Sequence, residues 1–373
     1  MVNRSLGKVI KKDFFKGKIV ILVGARQVGK TTLVRGLLKG KDYRFFNGDD
    51  PLDRRELTNR GLQELEAIMG DKPIIFVDEA QKIESIGQTL KLLVDRYSRE
   101  RQIIVTGSSS WNLLNNTQEA LTGRKWVFEM FPLSAGEMWS DRFEAEKSLE
   151  GALIYGMYPA VALKKTNQEK EIELRELVSS YLYKDIFELQ RIKNPTKLTD
   201  LVKALALQVG SEVSYTELGA MLGLDKNTVE SYVDLMEKNF IVYRLPPYYS
   251  NKRKEISKLR KIYFYDLGIR NMVIGNLNPL NSRNDVGALW ENFLMNERMK
   301  KQKYAGIEKI CYFWRSYDEA GVDLVEEGGG KIDGFEFKWG RGAGRRVSKL
   351  WQVYQNSSLA VINQENWWEF VGG

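Results

Sequence analysis

The chain has 373 residues, of which 43% are hydrophobic and 28% charged, and its formal net charge is +8. This length predicts two or three domains with ordinary cores, and the composition excludes a disordered chain. Without histidine and with a single cysteine, Cys311, the chain has neither imidazole catalysis nor a thiolate metal cluster, so that any metal must be held by oxygen.

The first 18 residues form a short basic lead-in without the hydrophobic segment of a signal peptide. No apolar run in the sequence approaches the roughly twenty residues that a helix needs to span a bilayer. We therefore expect a soluble, cytoplasmic protein that makes no membrane contact.

A glycine-rich loop follows the first hydrophobic run and precedes a helix-like segment. Its candidate nucleotide-binding residues are Gly24, Ala25, Arg26, Gln27, Val28, Gly29, Lys30, Thr31 and Thr32. Glycine, four residues, glycine, lysine and threonine between a strand and a helix predict a phosphate-binding loop. Lys30 would reach the β and γ phosphates of ATP, and the Thr31 hydroxyl would ligate Mg²⁺.

The next strong pattern is a hydrophobic strand, Pro73 to Val77, that ends in the two carboxylates Asp78 and Glu79. Strand ends often carry acids, but the position of this pair downstream of a phosphate loop makes the pattern specific. It predicts that Asp78 holds the magnesium ion and that Glu79 polarises the attacking water.

A third buried strand, Gln102 to Gly107, follows a segment with the apolar period of a crossover helix. Thr106 or Ser108, at the end of this strand, is the candidate sensor of the γ-phosphate, and a helix N-cap is the alternative role of the serine. Alternating strands and helices predict an α/β fold, a doubly wound parallel sheet with nucleotide at the carboxyl ends of its strands.

Further stretches along the chain carry a resemblance to a known family. In addition to the phosphate loop, these stretches are Val77 to Gln81, Val105 to Ser109, Leu121 to Arg124, Phe131 to Ser134, Tyr155 to Pro159 and Tyr181 to Ile186. Together they look like the AAA-type P-loop ATPases of prokaryotes that are joined to a C-terminal winged-helix and restriction-endonuclease-like region of uncharacterised function. The resemblance covers most of the chain.

This resemblance implies an arginine that reaches the γ-phosphate, either within the chain or from a neighbouring subunit of a homo-oligomer. Arg124 is the candidate, and a surface ion pair is its alternative role. The expected domains are an ATPase core over 1–135, a helical lid over 136–195, a winged helix-turn-helix over 196–250 and a restriction-endonuclease-like domain over 251–373.

The expected winged helix rests on three short helical segments followed by a strand, Phe240 to Leu245. Ser214 and Glu217 have the spacing of a capping box at the start of the second helix. Winged helices bind DNA or only join domains and contact proteins, so both a DNA and a protein partner are open. Residues 251–261 carry six positive charges against one negative, which suits either a phosphate backbone or a solvated hairpin.

Four polar residues in the last domain match the active-site pattern of the restriction-endonuclease-like fold. Glu291 lies on a predicted helix, Asp323 on a strand, and Glu336 and Lys338 two apart on the next strand. The three acids would ligate Mg²⁺ or Mn²⁺, and Lys338 would orient or activate water. Val322 stands where the motif has proline, and an ordinary amphipathic sheet is the alternative interpretation.

The basic tail of this domain favours nucleic acid as the partner, because residues 337–349 carry five positive charges and no acid. The sequence thus leaves two functions open. One is an AAA-type ATPase that couples its nucleotide state to DNA binding and to metal-dependent cleavage. The other is an ATP-dependent switch whose C-terminal domains bind a protein or DNA partner without cleavage.

Overall fold

The computed structural model describes residues 2–108, 120–180, 194–249, 259–315, 321–340, 351, 354 and 356–372. Most of the predicted basic segment, the four positive charges of the tail after Lys338 and the stretch Tyr181 to Ile186 lie outside these residues. The chain forms two compact units. The first comprises Met1–Phe131 and Lys238–Phe240, and the second comprises Pro132–Glu237 and Ile241–Gly373.

The first unit contains a parallel sheet of five strands. They are β1 (Ile19–Gly24), β2 (Arg44–Asn47), β3 (Ile74–Asp78), β4 (Gln102–Gly107) and β5 (Lys125–Met130). Their order is β2-β3-β4-β1-β5, and every neighbouring pair is parallel. Strands β1, β3 and β4 are buried along their whole length, which explains their continuous apolar sequences. The predicted parallel α/β sheet is confirmed.

The helix Ser5–Lys12 precedes β1. Lys30–Leu37 connects β1 to β2, Pro51–Leu57 and Leu62–Met69 connect β2 to β3, and the 3₁₀ turn Ala80–Lys82 and the helix Ile86–Tyr97 connect β3 to β4. The predicted crossover helix buries Ile86, Leu90, Leu93 and Val94. Because β1, β3 and β4 are parallel neighbours, the segments that follow them lie along one edge of the sheet.

The second unit begins with helices Ala135–Met138, Arg142–Tyr155, Pro159–Ala162 and Asn167–Leu177. Pro195–Leu207, Tyr215–Leu222 and Lys226–Lys238 follow, with an antiparallel sheet of β6 (Glu212–Val213), β7 (Val242–Leu245) and β8 (Arg260–Phe264) in the order β6-β8-β7. Of the predicted capping box, the structure contains the serine half, because the Ser214 hydroxyl accepts a hydrogen bond from the Glu217 amide at 3.3 Å.

The remaining elements surround a mixed sheet of four strands. The helices are Leu267–Val273, Val286–Ala305 and Trp367–Val371, with a 3₁₀ turn at Leu280–Ser282, and the strands are β9 (Ile310–Arg315), β10 (Gly321–Gly328), β11 (Lys331–Phe337) and β12 (Ser357–Ile362). The order is β12-β11-β10-β9, antiparallel except for the parallel pair of β11 and β12. In the described part of the chain, none of the helices combines the length and apolar character that crossing a bilayer requires.

One buried carboxylate, that of Asp266, explains the family-like stretch around Gly156. Asp266 caps the helix Leu267–Val273 by accepting the Ile269 amide proton at 3.1 Å, and it also accepts the Met157 amide proton at 2.7 Å. A Cβ at Gly156 would lie 2.1 Å from the Asp266 Oδ1 atom, and Gly156 has a φ of 77°. Only glycine therefore fits beside this carboxylate.

Candidate nucleotide site and C-terminal carboxylate cluster

The phosphate loop joins the carboxyl end of β1 to the helix Lys30–Leu37. A Cβ at Gly24 would lie 2.2 Å from the Met130 carbonyl oxygen on the neighbouring strand β5, so this position admits no side chain. Gly29, with a φ of 99°, is the N-cap of the helix. The two glycines thus allow the loop to bend from strand to helix, and the helix N-terminus provides the backbone amides and partial positive charge that favour a bound phosphate.

The Lys30 ammonium lies inside this loop. Its Nζ atom donates to the carbonyl oxygens of Gly24 and Ala25, both at 2.8 Å. Burial lowers the pKa of Lys30 to about 8, although the negative charges of Glu79 and Asp78 oppose this shift. The charged form is therefore poorly solvated here, and a phosphate group would supply the counter-charge that the loop carbonyls only partly replace.

The Asp78 carboxylate joins the ends of three strand segments. Thr31, which follows β1 and the loop, donates its hydroxyl proton to Asp78 Oδ2 at 2.8 Å. Thr106 on β4 donates to Oδ1 of the same carboxylate. A hydroxyl and a carboxylate oxygen in contact beside a phosphate loop are hard ligands of the type that Mg²⁺ prefers, so these residues fit that ion.

Glu79 is held by the side chains of Ser108 and Gln81, a role that the sequence predicted for neither residue. Its backbone is in the left-handed region, with a φ of 49°. Its carboxylate oxygen Oε2 accepts a proton from the Ser108 hydroxyl at 3.1 Å and another from the Gln81 side-chain amide. The Gln81 amide also donates to the Ser108 hydroxyl oxygen at 2.9 Å. Gln81 was missed because a glutamine two residues after a carboxylate has no chemical signature of its own.

The structure does not bring Arg124 together with this loop. Arg124 precedes β5, and its carbonyl oxygen accepts the amide proton of Ile19 at the amino end of β1, at 2.9 Å. Because β1 and β5 are parallel, the loop lies at their opposite end, roughly 20 Å away along a strand of this length. The Arg124 guanidinium pairs with Asp95 on the surface. Within one chain, the structure therefore agrees with the alternative interpretation of Arg124, a surface ion pair.

Three of the four polar residues of the C-terminal pattern lie on elements of the predicted type: Glu291 on the helix Val286–Ala305, Asp323 on β10 and Glu336 on β11. Lys338 was predicted on the strand of Glu336 but lies one residue beyond the end of β11. Asp323 Oδ2 accepts the Phe337 amide proton at 2.8 Å, which places this carboxylate beside β11. Lys338 pairs with Glu336 at 2.7 Å.

The predicted metal centre is not assembled, because a lysine that the pattern does not include lies between two of its ligands. Lys261 on β8 donates to Glu291 Oε1 at 2.8 Å, and its Nζ atom lies 3.5 Å from Asp323 Oδ1. Among the described residues, no three acidic, histidine or cysteine side chains are arranged to hold a metal ion. The assignment of Glu291, Asp323 and Glu336 to one Mg²⁺ or Mn²⁺ ion thus stays a prediction, and the ion pairs of Lys261 do not support it.

Electrostatics explain why the lysine stays charged at this position. Burial favours the neutral amine, but the negative charges of Glu291 and Asp323 outweigh it and raise the pKa of Lys261. Val322, which stands where the motif has proline, is buried in a core cluster with Tyr312 and Trp314. Its role in this domain is packing.

Three family models match separate parts of the chain. Residues 16–139 match an AAA domain, residues 146–280 match a domain of unknown function (DUF8612), and residues 286–366 match a domain of unknown function (DUF4143). The chain therefore contains a P-loop ATPase domain of the AAA type and a DUF4143 C-terminal domain. This confirms the ATPase part of the resemblance, while the winged helix and the endonuclease-like domain stay predictions.

Relatives extend over most of the chain. An uncharacterized protein of Mycobacterium tuberculosis is 26% identical over 338 residues, which are 90% of this chain and 74% of that protein. An uncharacterized protein of Methanocaldococcus jannaschii is 23% identical and covers 85% of this chain and 75% of its own length. Among solved structures, a Walker-type ATPase of Pyrococcus abyssi aligns with a TM-score of 0.49 at 13% identity, over 73% of this chain and 96% of that one.

Replacing Gln81 by leucine should slow ATP turnover without weakening nucleotide binding. The substitution keeps the size of the side chain but removes the amide that holds the Glu79 carboxylate. A hydrogen bond to a charged group contributes about 1.5–3 kcal/mol, so we expect kcat to fall by roughly tenfold or more. Phosphate release gives kcat, and a fluorescent ATP analogue gives the affinity.

The matched control is Gln88→Leu, the same substitution at an exposed position of the helix Ile86–Tyr97. A second variant, Gln81→Glu, places another carboxylate beside Glu79 and should also lower kcat, because the two like charges repel each other and displace the Glu79 carboxylate. Unchanged kcat in both variants would show that Gln81 does not position Glu79.

The affinity for ATP should fall at alkaline pH because of Lys30. Its pKa is about 8 in the free protein, and bound phosphates stabilise the charged form and so raise this pKa. Binding then takes up a proton above pH 8, and the dissociation constant should increase about tenfold between pH 7 and pH 9. Fluorescence titrations across this range measure it. Lys30→Arg, which does not titrate, should give a flat profile, and equal slopes for both proteins would contradict the assignment.

Proposed function

We propose that the chain binds ATP with Mg²⁺ at its phosphate loop and hydrolyses it. The contact between Thr31 and Asp78, beside a loop that contains the Lys30 ammonium, is the observation that carries this proposal. When bound, magnesium neutralises charge on the β and γ phosphates. The match of residues 16–139 to an AAA domain supports the same conclusion.

Each residue has one role in this proposal. The loop residues 24–32 bind the phosphates, with Lys30 on the β and γ phosphates, and Thr31 and Asp78 hold the ion. Glu79 takes a proton from the attacking water, and Ser108 and Gln81 fix its carboxylate. Arg124 can act only on a nucleotide in a neighbouring subunit, which requires a homo-oligomer.

We further propose that the nucleotide state controls DNA binding, without cleavage, by the parts of the chain after residue 195. The three helices from Pro195 to Lys238, together with the small antiparallel sheet of β6, β7 and β8, have the element content of a winged helix, a fold that contacts DNA in many proteins. Lys226 and Asn227 are exposed at the start of the third helix. The restriction-endonuclease-like fold of the last domain stays part of the proposal, and Lys261 between its carboxylates favours binding without cutting.

Replacing Glu79 by glutamine tests the ATPase. Glutamine keeps the shape of the side chain but cannot take the proton of the attacking water, and loss of a general base typically costs a factor of about 10² to 10⁴. We expect phosphate release to fall by at least about hundredfold, with ATP affinity within about twofold of the wild type. Equal rates in the two proteins would remove Glu79 from this role.

Replacing Lys226 by glutamate tests the DNA partner. Fluorescence anisotropy with a labelled duplex, in the presence of ADP or a non-hydrolysable ATP analogue, should show salt-dependent binding that differs between the two nucleotides. Lys226→Glu should weaken binding and lower the salt slope by about one, because a phosphate contact is lost. Lys203→Glu, the same charge change at an exposed position of the helix Pro195–Leu207, should change neither. Binding that ignores salt, nucleotide and Lys226 would favour a protein partner.

A further inference from the structure

We infer that Lys261 is the built-in cation of the C-terminal carboxylate cluster, so that the folded protein binds no divalent metal between Glu291 and Asp323. This inference deepens the proposed function, because it gives the reason why the last domain would bind its partner without cutting. It concerns a residue outside the pattern of the restriction-endonuclease-like fold, on a strand of the other sheet of the second unit.

The first observation is where the ammonium lies. Lys261 Nζ is 2.8 Å from Glu291 Oε1 and 3.5 Å from Asp323 Oδ1, and therefore lies between the two carboxylates that would share a metal ion. The side chains of Lys261, Glu291 and Asp323 are only 11%, 16% and 20% exposed. The two carboxylates are thus largely shielded from water, and each of their negative charges requires a counter-charge from within the protein.

The second observation is that the other contacts of these carboxylates suit a lysine. The Tyr263 hydroxyl donates to Glu291 Oε1 at 2.6 Å, and the Phe337 amide donates to Asp323 Oδ2 at 2.8 Å. The third predicted ligand, Glu336, is in an ion pair with Lys338. Each of the three acids therefore has an ammonium partner, and a metal ion would have to displace at least one of them.

The third observation is that the backbone fixes Lys261. Strand β8 lies between β6 and β7, and Lys261 is in register with Glu212 on one side and Leu245 on the other. Its ammonium also lies 5.6 Å from the centre of the Phe313 ring, a favourable position for a cation. The strand pairing thus fixes the position of this largely buried lysine, unlike that of an exposed side chain on a loop.

The two carboxylates determine which ligand this cluster would bind if Lys261 were replaced by an uncharged residue. Two buried carboxylates without an ammonium repel each other, and a divalent cation with oxygen ligands relieves this repulsion. Lys261→Met keeps most of the aliphatic side chain and removes the charge. The variant should therefore gain a Mn²⁺ site that the wild type lacks, with Asp323 as a ligand.

A titration of the full chain with Mn²⁺, in the absence of nucleotide, tests the inference. The electron paramagnetic resonance signal of the free ion measures how much Mn²⁺ is bound. The wild type and Asp323→Asn should bind Mn²⁺ equally, which measures any binding elsewhere. Lys261→Met should bind one additional Mn²⁺ ion, at least tenfold more tightly than the wild type binds Mn²⁺ anywhere in the chain. The double variant Lys261→Met with Asp323→Asn should lose that gain. Lys331→Met, which removes an exposed charge from the same unit, is the matched control.

Two results would overturn the inference. One is Mn²⁺ binding by the wild type that Asp323→Asn abolishes, and this comparison stands even if Lys261→Met does not fold. The other is a folded Lys261→Met, with the circular dichroism of the wild type, that gains no Mn²⁺. Neither result depends on ATP turnover, so a failure of the ATPase proposal, seen as phosphate release that does not depend on Glu79, is separate from a failure of this one.

Discussion

The candidate ATP site depends on one buried carboxylate. Asp78 is the last residue of β3. Its carboxylate accepts one hydrogen bond from Thr106 on β4 and another from Thr31 in the helix that follows β1. Three neighbouring strands of the parallel sheet therefore meet at a single side chain. Because a buried carboxylate requires hydrogen-bond partners, the two hydroxyls both satisfy Asp78 and fix the position of Thr31 relative to the loop. The contact between Thr31 and Asp78, on which the proposed magnesium site depends, is therefore fixed by the sheet itself.

The parts of this site that could be predicted are those encoded locally. The loop is encoded by spacing, because Gly24 and Gly29 are required by conformations that other residues avoid. Asp78 and Glu79 are encoded by their place at the end of an apolar strand. Arg124 shows the limit of this approach. Its position relative to the loop depends on the direction in which β5 pairs with β1, and no short motif contains that information.

The C-terminal cluster shows the same limit in another form. The alternation of Glu336 and Lys338 and the position of Asp323 on the preceding strand were sufficient to predict that these residues are neighbours. The side chain between the carboxylates was not predictable. Lys261 is 30 residues from Glu291 and 62 residues from Asp323 in the chain, and it belongs to a different sheet. A motif describes which ligands a site offers, while the occupant is determined by tertiary structure.

An ammonium and a metal ion in this position have different consequences for the fold. Lys261 lies on β8 of the three-stranded sheet, and Asp323 lies on β10 of the four-stranded sheet, so their interaction links the two sheets. A second link is formed by backbone, because Tyr248 donates to the Phe313 carbonyl oxygen at 2.6 Å and Phe313 donates to the Pro246 carbonyl oxygen at 2.9 Å. A metal ion would make the first link depend on the metal concentration. A lysine makes this link independent of the metal concentration.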